Sequence, residues 1–342
     1  MSMPPSEPTP NDNSPLIIGP YTILKPLGSG GVGRVYLGED LQGRRAAVKV
    51  LDPVNREMFE PKRFQREVAI LRQDLGDAIV SYLDDDLEPE DGSDPWIATE
   101  YISDTTLLKH VRTLGKLSSR ALATMGMHLC EGLAHLHENG ISHRDIKPAN
   151  IMIRPTGTPV FIDLGVAYRE PTRTGGGPTH KTTANVVVGT EGFRAPEILS
   201  GDRSDFAAAD IYSLGLTIVF AGTRLMPGEE GFADRVGLLD GAGDPNPLDE
   251  GARNELLGII RDMTGTERSW RPSALDAADR FASVVTHRRQ LKRNEKAMES
   301  ELVASVDLAD RRLTKVPPSR ARAREAARRI REEYGSTGMN AS

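Results

Sequence analysis

Eight residues near the middle of the chain, His143-Arg144-Asp145-Ile146-Lys147-Pro148-Ala149-Asn150, constrain it more than any other stretch. They place a carboxylate, a cation and a carboxamide on one short loop. A loop that moves a phosphoryl group needs such parts. Asp145 would orient a hydroxyl and accept its proton, Lys147 would steady the moving phosphate, and Asn150 would hold a metal. On its own the run also reads as a polar loop before a strand. The chemistry follows only if the remaining parts occur elsewhere, in order and at workable spacing.

Upstream, short β-prone runs alternate with turn residues. Tyr21–Leu27, Gly33–Glu39 and Arg45–Leu51 read as three antiparallel strands. Apolar residues at Phe64, Val68, Leu71 and Leu75 give Lys62–Leu75 the spacing of an amphipathic helix. Two more strands are expected near Ile79–Leu83 and Trp96–Tyr101, with the acidic run Asp84–Asp94 between them as a surface loop. After Tyr101 the pattern turns helical. Ser118–Asn139 opens on candidate caps and stops at Gly140, a left-handed C-terminal residue. Further helices are expected at Asp210–Phe220, Asp249–Met263 and Ser273–Arg289. A small sheet-rich lobe thus precedes a larger helical one, with the boundary near Ser103.

The glycine run Gly28-Ser29-Gly30-Gly31-Val32-Gly33 lies between two of these strands. Glycines at 28, 30 and 33 remove side chains so that backbone amides can approach phosphates closely. Dinucleotide-binding folds share the spacing, but there the turn leads into a helix. Here Arg34-Val35-Tyr36-Leu37 continues as a strand, so the turn is a hairpin. Lys49 sits in the apolar strand Ala46-Ala47-Val48-Lys49-Val50, where an unpaired ammonium would be costly. Glu67, on the inward side of the following helix, is its natural partner and would aim it at phosphates. Asp163-Leu164-Gly165 follows the short strand Val160-Phe161-Ile162. With Asn150, Asp163 supplies hard oxygen ligands for Mg²⁺. Glu197, in Ala195-Pro196-Glu197, has a candidate ion-pair partner in Arg271. Asp210 either caps its helix or accepts hydrogen bonds from the His143–Asn150 loop.

Taken together these motifs resemble those of eukaryotic-type (Hanks-type) protein serine/threonine kinases, of the sort bacteria also carry, over about residues 18 to 288. The resemblance implies an α+β, bilobal fold: a small antiparallel sheet with one main helix (18–102), then a larger, mainly helical lobe (103–288). It implies ATP as phosphoryl donor, Mg²⁺ as the metal (Mn²⁺ as an alternative), and protein Ser/Thr as acceptor. Lys49, Glu67, Asp145 and Lys147 match catalytic positions. Gly28, Ser29, Gly30, Gly31, Val32, Gly33, Val35, Ala47, Lys49, Thr99, Glu100, Ile102, Asn150 and Asp163 match the nucleotide site. Thr99 would gate the back of the pocket, and Glu100 and Ile102 would form the hinge. His143, Leu164 and Leu71 match a stacked apolar spine. Leu164 stands where Phe is commoner and Ser142 where an aliphatic residue is usual. A small-molecule kinase of related fold typically lacks the Ala-Pro-Glu motif and a lysine placed like Lys147. A non-catalytic ATP-binding scaffold would not need Lys49, Asp145 and Asp163 intact.

The flanks and bulk properties add bounds. Residues 1–17 form a Pro-rich tail expected to be disordered. Residues 289–342 form a basic, partly helical extension with nine Lys or Arg and one acid between Arg311 and Arg331. It reads as a solvated extension, as a docking arm for an acidic partner or an anionic surface, or as a segment folded back onto the catalytic domain. The net charge of -6 argues against wholesale nucleic-acid binding. Cys130 is the only cysteine, so no intrachain disulfide forms. The longest apolar stretch, Ile211–Ala221, falls short of the roughly 20 residues that span a bilayer, and a cytoplasmic location fits. The segment 169–188 carries Thr172, Thr174, Thr179, Thr182 and Thr183. Thr182 or Thr183 is the expected autophosphorylation site, with Arg144 as phosphate partner. Dimerisation through the small lobe is left open.

Overall fold

The computed structural model of the protein describes residues 15–30, 33–51, 61–102, 105–164, 167–169, 192–202, 204–230 and 248–285, with Phe232, Leu239 and Asp244. Most of the N-terminal tail, Gly31, Val32, Ser103, Gly165, the threonine-bearing segment and the basic extension lie outside the described residues. The chain forms two compact units. The smaller holds residues up to Val68 together with Ser81–Tyr101; the larger holds Ala69–Val80 and the chain from Ile102 onward.

The smaller unit is built on a six-stranded antiparallel sheet. Its strands are β1 (Ile17–Ile18), β2 (Tyr21–Gly30), β3 (Gly33–Glu39), β4 (Arg45–Leu51), β5 (Tyr82–Asp86) and β6 (Trp96–Glu100), in the order β1-β2-β3-β4-β6-β5. Alternation along the strands sorts side chains onto two faces. On one face Tyr21, Ala46, Val48, Trp96 and Ala98 form a core, with the Tyr21 and Trp96 rings edge to face at 5.9 Å. On the other, Val35 stands opposite Lys49, and Ala47 opposite both Leu37 and Thr99. Helix α1 (Pro61–Leu71) buries Phe64, Glu67, Val68 and Leu71, spaced three, four and seven residues from the first.

Several details depart from the sequence reading. Ile17, placed in the disordered tail, pairs with Thr22 in β1. Helix α1 stops at Leu71, not Leu75; Gln73 folds back and donates to Ala69 O at 2.8 Å, satisfying a terminal carbonyl. Asp84, Asp85 and Asp86, expected in a loop, lie in β5. An edge strand tolerates acids because one flank stays solvated, and tertiary pairing with β6 overrides their low strand propensity. Ile79 and Val80, expected to open that strand, belong to the larger unit. There Ile79 bridges to Phe161, and Val80 N–H donates to Phe161 O at 2.9 Å.

The larger unit packs α2 (Leu107–Leu114), α3 (Ser119–Glu138), α5 (Phe206–Thr223), α6 (Glu250–Met263) and α7 (Ala274–Val285), with a short α4 (Pro196–Leu199). Their starts are capped as local rules require. Ser118, Asp205 and Asp249 accept N–H groups of Ala121, Ala208 and Ala252. Gly140 follows α3 at φ 67°, as its sequence predicts. Helix α5 begins four residues before Asp210, so Asp210 is no N-cap and its carboxylate serves elsewhere. By length and composition α5 is apolar enough to cross a membrane, longer than its uninterrupted apolar run, but 67% of it is buried inside the protein. That is the property of a core helix. Short antiparallel pairs β7 (Ile141–Ser142) with β10 (Tyr168–Arg169), and β8 (Ile151–Ile153) with β9 (Pro159–Phe161), frame the catalytic run.

Burial has a titration consequence on α2. His110 is 3% exposed, and burial pulls its imidazole down to about 4 from an ordinary 6.5. The folded state therefore binds fewer protons than the unfolded chain between those values, and stability falls as pH drops through that window. Between pH 7 and pH 5 this one group removes about 2 kcal/mol. His143 shifts in the same direction, also by burial. Thermal melts at the two pH values should show a smaller acid-induced drop in His110→Gln than in the wild type. An equal drop would mean that folding leaves the His110 imidazole at its ordinary value.

Candidate active site

In the smaller unit the sheet's alternation places Lys49 on the face that α1 covers. There Lys49 Nζ lies 2.8 Å from both Glu67 carboxylate oxygens, with Glu67 3% exposed. A buried carboxylate gripping an ammonium through two oxygens fixes its direction as well as its charge. Val35, Ala47 and Thr99 line the same face by strand register. Glu100, at the end of β6, exchanges contacts with Ser81: its N–H donates to Ser81 O at 2.9 Å and its carboxylate accepts Ser81 N–H at 2.8 Å.

The glycine positions are not equivalent. A Cβ on Gly28 would meet nothing within 4 Å, whereas one on Gly33 would fall 2.1 Å from Val50 O. Gly33 is therefore demanded by close approach of β3 to β4, independently of any phosphate. The sequence motif alone does not separate these two reasons.

In the larger unit the His143–Asn150 run is hung from α5. Asp210, 1% exposed, accepts the N–H of His143 and of Arg144, each at 2.8 Å, and lies 3.0 Å from His137 Nε2. Two backbone donors on one carboxylate hold the loop while Arg144 adopts φ 70°, a left-handed conformation uncommon outside glycine. Its guanidinium Cζ sits 3.7 Å from the centre of the Phe206 ring. The His143 ring is fully buried against Phe161, centroids 5.0 Å apart, and neither ring nitrogen has a hydrogen-bond partner. It thus packs as a neutral apolar ring, consistent with its lowered pKa.

Asp145 is gripped from two sides. Lys147 Nζ lies 2.7 Å from Asp145 Oδ2, and Asn150 Nδ2 donates to the same oxygen and to Asp145 O, each at 2.9 Å. The carboxylate's rotamer is thereby fixed, as an oriented proton acceptor requires. Committing its amide nitrogen to Asp145 turns the Asn150 oxygen the other way. The β8–β9 hairpin adds Asp163: Ile151 pairs with Phe161, Ile162 N–H donates to Asn150 O at 3.1 Å, and Asp163 is next. A carboxamide oxygen and a carboxylate suit a hard divalent cation that keeps water or phosphate oxygens as its other ligands. No cluster of three His, Cys, Asp or Glu that would hold a metal unaided occurs among the described residues.

Glu197 and Arg271 form the bidentate pair their motifs suggest, at 2.6 and 2.9 Å, with the Arg271 side chain fully buried. The Tyr212 ring flanks it at 4.8 Å. Sequence reasoning missed Phe206, Tyr212 and His137 as supports of the site. The one available signal was helical spacing: Phe206 and Asp210 are four residues apart and so share a face of α5.

A lysine–glutamate pair beside a glycine hairpin, and a clamped aspartate on a loop hung from a buried carboxylate, define one class, the protein kinase domain. A model of that domain matches residues 21–280, and the chain belongs to the protein kinase family. It is 33% identical over 291 residues to the serine/threonine-protein kinase AfsK of Streptomyces coelicolor, covering 76% of this chain and 35% of that protein. It is 33% identical over 277 residues to serine/threonine-protein kinase D of Synechocystis sp., covering 76% and 51%. It is 36% identical over 201 residues to the serine/threonine-protein kinase PknB of Mycobacterium tuberculosis, covering 58% and 31%. The chain thus spans about a third to a half of these relatives' lengths.

Proposed function

We propose that the chain transfers the γ-phosphoryl group of ATP to serine or threonine of protein substrates. The observation that carries this reading is Asp145 held by Lys147 and Asn150 on a loop whose backbone Asp210 anchors. Asp145 Oδ orients the acceptor hydroxyl and takes its proton as the oxygen attacks phosphorus; the γ-phosphoryl bond to ADP breaks and ADP leaves with the electron pair. Lys147, with Nζ 2.7 Å from Asp145 Oδ2, balances charge on the moving group. Lys49, aimed by Glu67, holds the α- and β-phosphates, and Val35, Ala47 and Thr99 supply an apolar wall for the base. Glu100 and Ile102 serve as the hinge, and glycines at 28, 30 and 33 let backbone amides approach the phosphates. Asn150 and Asp163 are the residues that would hold Mg²⁺, which supplies charge neutralisation on the phosphates when bound.

Control is proposed to lie in autophosphorylation of Thr182 or Thr183, with the phosphate received by Arg144. The extension 289–342 is read as a solvated, partly helical segment, with a docking arm for an acidic partner as the alternative. Cys130 is buried, with its thiol pushed upward by burial, so it packs as an unreactive core residue; a cytoplasmic setting is part of the proposal. The test is phosphosite mass spectrometry on the full chain after incubation with Mg²⁺ and ATP, beside Lys49→Met. Phosphate on Thr182 or Thr183 that disappears in Lys49→Met is the expected outcome. An unmodified wild type that still binds ATP would favour the scaffold reading.

A further inference from the structure

We infer that Phe206 is a positioning residue for the catalytic loop, acting through Arg144. Arg144 immediately precedes Asp145, and its backbone is held at φ 70°. For a side chain with a Cβ that conformation is strained and persists only where the surroundings impose it. Two residues of α5 impose it. Asp210 accepts the Arg144 N–H at 2.8 Å, and Phe206 lies under the guanidinium with Cζ 3.7 Å from the ring centre. The two are one helical turn apart, in a first turn fixed by Asp205, which accepts the Ala208 N–H at 2.9 Å. One rigid turn thus holds both the main chain and the far end of the same arginine.

The geometry also gives the contact a direction. At 3.7 Å from the ring centre, Cζ sits over the Phe206 face at stacking distance. A guanidinium stacked on a ring spends none of its N–H donors there and keeps them directed along its own plane. Phe206 therefore sets the plane in which Arg144 meets an anion, and, through the adjoining peptide, the orientation of Asp145. A leucine fills similar space but has no quadrupole to hold a cation.

The inference rests on the phosphoryl-transfer reading for its kinetic arm only. The experiment compares Phe206→Tyr and Phe206→Leu in the full chain. The first readout is the Arg144 Nε–Hε resonance, assigned by its loss in Arg144→Lys. It should carry a ring-current shift in the wild type and Phe206→Tyr, and lose it in Phe206→Leu. The second is ADP release with Mg²⁺, ATP and a mixed Ser/Thr peptide pool. Phe206→Leu should lower kcat roughly fivefold with KM for ATP unchanged, and Phe206→Tyr should restore it. Equal resonances in the two variants, or equal kcat for both, would overturn the role of the ring. An inactive wild type would count against the phosphoryl-transfer reading, and the resonance would still decide the Arg144–Phe206 contact.

Discussion

Asp145→Asn should lower kcat by roughly 10²–10⁴-fold while leaving KM for ATP near its wild-type value. The carboxamide matches the carboxylate in shape, so Lys147 and Asn150 keep a neighbour of the same size and the loop keeps its anchor on Asp210. What disappears is the basic oxygen that takes the acceptor's proton. Lys49, which is assigned to the α- and β-phosphates, and Glu67, which aims it, lie in the smaller unit and are untouched, so the loss should fall on kcat more than on ATP binding. Steady-state kinetics with a thermal melt checks the claim. A variant that keeps a tenth or more of the wild-type rate would remove Asp145 from the chemistry.

The largest stability effect is expected at Arg271. Its fully buried guanidinium donates to both Glu197 oxygens and to the carbonyls of Gly265, Ala208 and Thr266. Arg271→Ala leaves a mostly buried carboxylate and three carbonyls without this donor, a loss of about 3–5 kcal/mol. For a unit of this size that corresponds to a fall in Tm of roughly 10 °C. A paired buried ion and its apolar replacement are often close in energy, so the double variant Arg271→Met with Glu197→Leu should recover part of the loss. A single variant that melts with the wild type would show that the pair is solvated. A double variant as unstable as the two single losses added together would show that the pair is not coupled.

The parts of the site that lie within one sequence run, or on elements with strong local signals, were legible before any coordinates. Asp145, Lys147 and Asn150 sit within six residues of one another, so a local turn suffices to bring them together. Lys49 and Glu67 were legible because a lysine in an apolar strand demands a partner and an amphipathic helix follows. Glu197 and Arg271 are 74 residues apart; their pairing came from motif resemblance, since nothing local joins them. Features decided by tertiary pairing were not legible. Asp84, Asp85 and Asp86 look like a loop until β6 hydrogen-bonds to them. Phe206 looks like a core aromatic of α5, and only the left-handed turn at Arg144 brings a cation over its ring. Gly33 was read for phosphate access, while the packing of β3 on β4 already excludes any larger residue there.

The central claim is that the clamped Asp145 moves a phosphoryl group onto protein hydroxyls. Incubating the full chain with Mg²⁺, γ-labelled ATP and a mixed Ser/Thr/Tyr peptide pool, followed by phosphoamino-acid analysis, tests it most directly. The account predicts label on phosphoserine and phosphothreonine, absent with Asp145→Asn. Label confined to phosphotyrosine, label equally strong with Asp145→Asn, or ATP bound without any transfer would contradict it.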